Sequence, residues 1–133
     1  MDTDFGSYLK EIKFEKHLKK LVSKLKNKKI IIYGAGSLFL YIKDNYDLSG
    51  LNIIGISDMK FREEDEGQVY QGYKIIQKDK IVNSNPDFVL IAVQNYLGLL
   101  ENFMCNVFKD TKIKVGVLVK KPFWTVMKDI WLC

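Results

Sequence analysis

Lys28-Lys-Ile-Ile-Ile-Tyr-Gly-Ala-Gly-Ser37 is the stretch on which the reading of the fold turns. Ile30, Ile31 and Ile32 form a β-branched run of the kind a parallel strand needs when both its faces are buried. The run stops at Tyr33-Gly34-Ala35-Gly36, and an apolar segment of helical character follows at once. Strand, glycine turn and helix in that order give a G-x-G its physical meaning. Gly34 permits a tight turn, and Gly36 lets the backbone approach a phosphate or a ribose. The helix opening near Ser37 aims unpaired N–H groups and the positive end of its dipole at the same point. Gly34, Ala35, Gly36 and Ser37 are therefore candidate nucleotide-binding residues. In G-x-G-x-x-G the third glycine would fall at Phe39, so the close contact between helix and strand must be built differently here. A plain strand–helix turn without a ligand is the competing reading of the same residues.

Downstream, Leu51-Asn-Ile-Ile-Gly-Ile-Ser-Asp58 is a second apolar strand that ends in an acid, 22 residues beyond Gly36. A dinucleotide fold places its ribose-binding carboxylate near this position, which makes Asp58 a further candidate; an aspartate closing a strand is also an ordinary turn starter. Residues 59–72 read as an irregular, charged stretch, and Tyr73–Ile76 as a short third strand. Tyr70 and Lys74 match the Y-x-x-x-K spacing of short-chain dehydrogenases, but Gly72 between them argues against the helix which that pair requires. Gln77–Asn85 reads as a short helix ended by Pro86. Asp87–Val93 is a buried strand stopping at Gln94-Asn95-Tyr96, Leu97–Phe108 is a helix, and Lys112–Val119 is a last strand that starts partly exposed. Gly34, Gly36, Asp58 and Asn95 all fall at the carboxyl ends of strands, where open α/β sheets bind their ligands.

Before the first strand, residues 7–27 read as one amphipathic helix with Ser7 as N-cap and an apolar stripe of Phe14, Leu18, Leu21, Val22 and Leu25. His17, the only histidine, lies in this segment and reads as a surface or boundary residue. After the last strand, residues 120–133 carry Phe123, Trp124, Val126, Met127, Ile130, Trp131 and Leu132, an apolar tail expected to pack on the core or on a partner. The expected organisation is thus an N-terminal helix over 1–27, a nucleotide-binding domain over 28–119 and the tail over 120–133.

The 133 residues suffice for one domain with a core of its own. The net charge of +5 comes largely from residues 10–29, with nine lysines against two glutamates, which a solvated helix face explains. No aromatic–basic pattern of an RNA-binding module accompanies it, so the composition argues against nucleic acid. No apolar run approaches the ~20 residues of a membrane span. Cytoplasmic location without membrane insertion is expected from an acidic start with no apolar signal region behind it. Cys105 and Cys133 suggest no disulfide framework and no metal site, and Cys105 reads as a buried small apolar side chain.

Taken together, "IIIYGAGS", "IIGISD", "GYKII" and "PDFVLIAVQNY" resemble the Rossmann-like domain of bacterial surface-polysaccharide and sugar-nucleotide biosynthesis proteins. The set is similar to the N-terminal domains of sugar-nucleotide dehydratases and sugar N-acyltransferases, and to the C-terminal domain of sugar C-methyltransferases. The resemblance covers residues 28–119. It implies an α/β, Rossmann-like three-layer fold with a mainly parallel sheet of about five strands, extended here by the N-terminal helix. It also implies a bound nucleotide, NAD(P) in the dehydratase type or a UDP-sugar in the acyltransferase type. The glycine turn (Gly34, Ala35, Gly36, Ser37) would then hold phosphate or ribose, and Asp58 ribose or base. In such proteins this domain is usually one part of a larger one. The readings left open are a nucleotide-binding domain serving glycan synthesis, an NAD(P)-dependent enzyme or a fragment of one, and a ligand-free interaction module. The last of these would form a homodimer or dock on a biosynthetic enzyme through the N-terminal helix or the tail.

Overall fold

The run Ile30–Tyr33 is strand β1, and all four of its residues are buried. A computed structural model describes residues 5–119 of the chain. Ahead of β1 lie α1 (Phe5–Glu11) and α2 (Phe14–Lys24); after it come α3 (Ser37–Asn45) and β2 (Ile53–Ser57). A charged excursion carries the two-residue strands β3 (Val69–Tyr70) and β4 (Tyr73–Lys74). The chain continues through α4 (Ile81–Ser84), β5 (Phe88–Ile91), α5 (Leu97–Asn102) with a π-helical turn over Phe103–Val107, and β6 (Lys114–Val117).

Four strands pair in the order β2-β1-β5-β6, and each neighbouring pair is parallel. From β1 the chain steps to one side to form β2 and then returns to the other side to form β5. That reversal of winding defines a Rossmann-like α/β fold. Alternation along β1 sends Ile30 and Ile32 to one face, with α1, α2 and α3, and Ile31 and Tyr33 to the other, with α4 and α5. The result is the expected three layers. At each end of β1 a carboxylate fastens the backbone. Asp87 Oδ2 accepts the Lys29 N–H at 2.8 Å at the start, and Asp58 Oδ2 accepts the Ala35 N–H at 2.6 Å at the finish.

Among the described residues the main sheet has four strands, all parallel, in keeping with a mainly parallel sheet of about five. Several expectations need correction. The Tyr73–Ile76 segment pairs first with β3 as an antiparallel hairpin and joins the edge of β2 only through a single bridge, Ile56 to Ile75. Gly55 explains the close approach: a Cβ there would collide with Ile76 Cδ1 and lie 3.1 Å from the Lys74 carbonyl oxygen. The N-terminal segment is two helices, because Lys13 adopts a left-handed conformation (φ 57°) and ends α1; Ser7 lies inside α1 rather than ahead of its first residue. The break lets Leu9 and Phe14 both be fully buried, while Leu18 and Leu25 of the apolar stripe pack beneath α2 as expected. Cys105 is half-buried and disulfide-bonded, not a buried thiol. The apolar tail, residues 120–133, lies outside the described residues.

Candidate functional site

The two glycines of the turn differ in what requires them. Gly34 has φ 124°, and a Cβ there would lie 2.9 Å from Val93 Cγ1 and 3.0 Å from the Ala92 carbonyl oxygen. Fold geometry alone demands glycine at this position. Gly36 is extended (φ −93°, ψ −163°) and exposed, and a Cβ there would meet nothing within 4 Å. It precedes α3 as its N-cap, and no side chain caps the helix. The first turn of this nine-residue helix therefore begins beside two exposed residues, Gly36 and Ser37, without a side-chain cap.

Ala35 is the fastening point of the turn. Its N–H donates to Asp58, whose Oδ1 also accepts the Lys60 N–H at 2.9 Å. The Ala35 carbonyl accepts the Lys60 ammonium at 2.8 Å and the Tyr70 hydroxyl at 3.2 Å, and Lys60 Nζ also donates to Tyr70 Oη at 3.1 Å. The ammonium sits 4.7 Å from the centre of the Tyr70 ring, within cation–π range. The excursion between β2 and β5 thus reaches back over the glycine turn. Lys60 and Tyr70 are missing from the sequence-based set because nothing in their spacing announces this contact. Tyr70 and Lys74 stand on the two arms of the hairpin, as rejection of the dehydrogenase pair requires.

A cleft of about 460 Å³ opens beside Asp58, lined by Tyr33, Phe61, Gln77, Lys78 and Asp79 among others. Tyr33 is 3% exposed, and its ring meets Phe103 edge-on at 5.0 Å. Burial and, to a lesser degree, the Asp58 charge push its pKa above the usual phenol value. Tyr33 and Ser57 are register partners at the ends of β1 and β2, and both hydroxyls are buried with no hydrogen-bond partner among the described residues. Buried polar atoms of this kind are uncommon.

The structure brings Gly34, Ala35, Gly36, Ser37 and Asp58 to one end of the sheet. Val93, at the carboxyl end of β5, abuts Gly34, and Asn95 lies exposed two residues further on. Phe39, in place of the third glycine, is fully buried in the core and meets Tyr73 edge-on at 6.0 Å; it does not fill the crevice. No group of three or more potential metal ligands occurs among the described residues, and none of their helices is long and apolar enough to cross a membrane.

No family model matches the chain, and no curated protein matches it. Among solved structures it is similar to a chorismate mutase/shikimate 5-dehydrogenase fusion protein from Clostridium acetobutylicum, with 16% identity and a TM-score of 0.45. The match covers 80% of this chain and 47% of that one, so the chain spans less than half of that protein's length. The class defined by the strand order and glycine turn is a Rossmann-like α/β domain.

Proposed function

We propose that this chain binds a nucleotide or nucleotide sugar at the carboxyl ends of β1 and β2, in the service of surface-polysaccharide or sugar-nucleotide biosynthesis. In this reading the phosphate meets the N-terminus of α3 at Gly36 and Ser37, a ribose or sugar hydroxyl meets Asp58, and Asn95 flanks the opening. The observation that carries it is Gly36, a glycine for which the fold has no steric or conformational use, beside an uncapped helix start. Lys60, held at the same turn, adds positive potential, and the Tyr33 hydroxyl, without a partner among the described residues, belongs to a cleft that shares Asp58. NAD(P) and a UDP-sugar both present the required diphosphate and ribose. In this reading the role is binding rather than chemistry.

A second reading, an interaction module without ligand, draws on the Ala35 latch. Both backbone polar groups of Ala35 are already satisfied within the protein, as a purely structural turn would have them.

A thermal-shift panel with NAD, NADP and UDP-sugars separates the two. A ligand at a hundred times its dissociation constant adds about 2.7 kcal/mol, which raises the midpoint of a domain this size by roughly 10 °C. Gly36→Val should remove the response and leave the fold intact. A response that survives Gly36→Val would place the site elsewhere, and silence across the panel would favour the interaction module.

A further inference from the structure

A cleft of about 660 Å³ lies between the two N-terminal helices and the last turn of α3. Ser37 and Asn45 are the two ends of α3, ~12 Å apart along the helix, so this cleft and the glycine turn are separate places. The break at Lys13 shapes the cleft, because Lys10 then enters it from α1 and Lys19 from α2. On one side the connection after α3 closes against α2: a Cβ on Gly50 would lie 2.6 Å from Val22 Cγ1.

Two aromatic walls are fixed by buried phenylalanines. Tyr41 and Tyr46 are half-buried; Phe5 packs on Tyr41 with ring centres 5.9 Å apart, and Phe14 meets Tyr46 edge-on at 4.9 Å. The polar groups beside them are held as well. Asn45 Nδ2 donates to the Tyr41 carbonyl at 2.9 Å, and Asp47 Oδ1 accepts the Ser49 N–H at 2.9 Å. A smaller cavity of about 360 Å³ adjoins across Lys10, Glu15 and Tyr46, which line both, and adds Lys13 and Lys16. Lys10, Lys13, Lys16 and Lys19 thus face only Glu15 and Asp47, and the local field is positive.

We propose that this cleft binds a sugar carrying an anionic group, a phosphate or a carboxylate. Its volume is that of a small-molecule site. The half-buried tyrosine rings offer flat apolar faces with polar tips, which suit the C–H face and the hydroxyls of a sugar ring. Asp47 and Glu15 are acceptors for hydroxyl donors, and the Asn45 amide oxygen is a further acceptor. Lys10 and Lys19 supply charge-assisted hydrogen bonds to the anion. The excess of lysine favours a net anion over a zwitterion such as an amino acid. The two carboxylates favour a polyol over inorganic phosphate, which would meet them as like charge. The site is independent of the nucleotide reading above.

Titration of the isotope-labelled full chain, followed by amide NMR, tests this. Glucuronate and glucosyl phosphate should saturably shift the amides of residues 41–50 and of α2, and the tighter of the two identifies the anionic group. Glucose, inorganic phosphate and glycine should each bind severalfold more weakly. Lys10→Ala combined with Lys19→Ala should weaken binding severalfold and leave the rest of the spectrum unchanged. The same loss of charge at Lys26→Ala with Lys28→Ala, both exposed and outside the cleft, should not. No saturable shift from either sugar anion overturns the proposal. Inorganic phosphate binding as tightly as the sugar anions, or equal weakening by the two lysine pairs, reduces the cleft to a patch of charge and overturns it too. Shifts confined to Gly36, Ser37 and Asp58 place the sugar at the glycine turn, which overturns this site and leaves the nucleotide reading standing.

Discussion

Asp58 Oδ2 accepts the Ala35 N–H at 2.6 Å, tying the acid that ends β2 to the middle of the glycine turn that follows β1. The residue that the sequence marks as a ribose ligand is therefore also the latch that sets the shape of the turn. Both carboxylate oxygens hold a backbone N–H, and each retains a lone pair for a ligand hydroxyl.

Removing the latch should cost stability whatever the ligand. Asp58→Ala leaves two backbone donors without their acceptor and is expected to lose about 1–3 kcal/mol in urea denaturation. Asp58→Asn keeps one acceptor oxygen and should lose less. An alanine variant as stable as the parent would show that the turn holds its shape without this carboxylate.

The two turn glycines should separate fold from function. Gly34→Ala combines an unfavourable positive φ with a Cβ pressed against Val93 and Ala92, and is expected to cost about 1–3 kcal/mol or more. Gly36→Ala enters open space and should cost less than about 1 kcal/mol, as for a modest change at an N-cap. Chemical denaturation of the two variants side by side checks the contrast; equal losses would contradict it.

Gly55 should behave as a core position although it has no side chain. Its Cβ would run into Ile76, which packs on β2 through the Ile56–Ile75 bridge, so Gly55→Ala is expected to destabilise by about 1–3 kcal/mol. Shortening the obstacle tests the cause. In the Gly55→Ala background, Ile76→Val should cost less than it does in the parent. Equal costs in the two backgrounds would remove the collision as the explanation.

The alkaline limb of stability should be steep. Tyr33, Tyr46 and Tyr73 all have pKa values raised above 10.0: Tyr33 by burial and then Asp58, Tyr46 by burial and then Tyr41 and Glu15, and Tyr73 by burial. Between the unfolded and the raised folded pKa the unfolded chain has lost protons that the folded one retains, so stability falls as pH rises. The contribution is fully present below pH 10 and declines as pH climbs through the folded values. Tyr33→Phe should make this decline shallower. At neutral pH the same change should be neutral or slightly stabilising in the unliganded protein, because the hydroxyl has no partner to lose among the described residues. A clear loss of stability at neutral pH would reveal a partner for it.

Much of the architecture is legible because hydrophobic pattern and turn chemistry are local. Ile30–Ile32 could only be a doubly buried strand, and the glycines after it could only be a turn into a helix. Legibility fails where a contact spans the fold. Lys60 and Tyr70 sit in a charged stretch with no periodicity, yet their side chains meet at the Ala35 carbonyl. The N-terminal helix divides at Lys13 although its sequence pattern runs on, because Leu9 and Phe14 reach the same core only across a bend.

The sequence by itself determined the α/β class, the order of strands and helices, and the placing of Gly34, Gly36 and Asp58 at strand ends, since each follows from residue periods and backbone conformations within a few positions. Tertiary structure alone decided that the Tyr73–Ile76 segment meets the sheet through one bridge, that Gly34 serves the fold while Gly36 is left open, and that Asp58 fastens the turn it was expected to serve. Those outcomes depend on which distant backbone groups meet, and no local pattern encodes the meeting of Ala35 with Asp58, Lys60 and Tyr70.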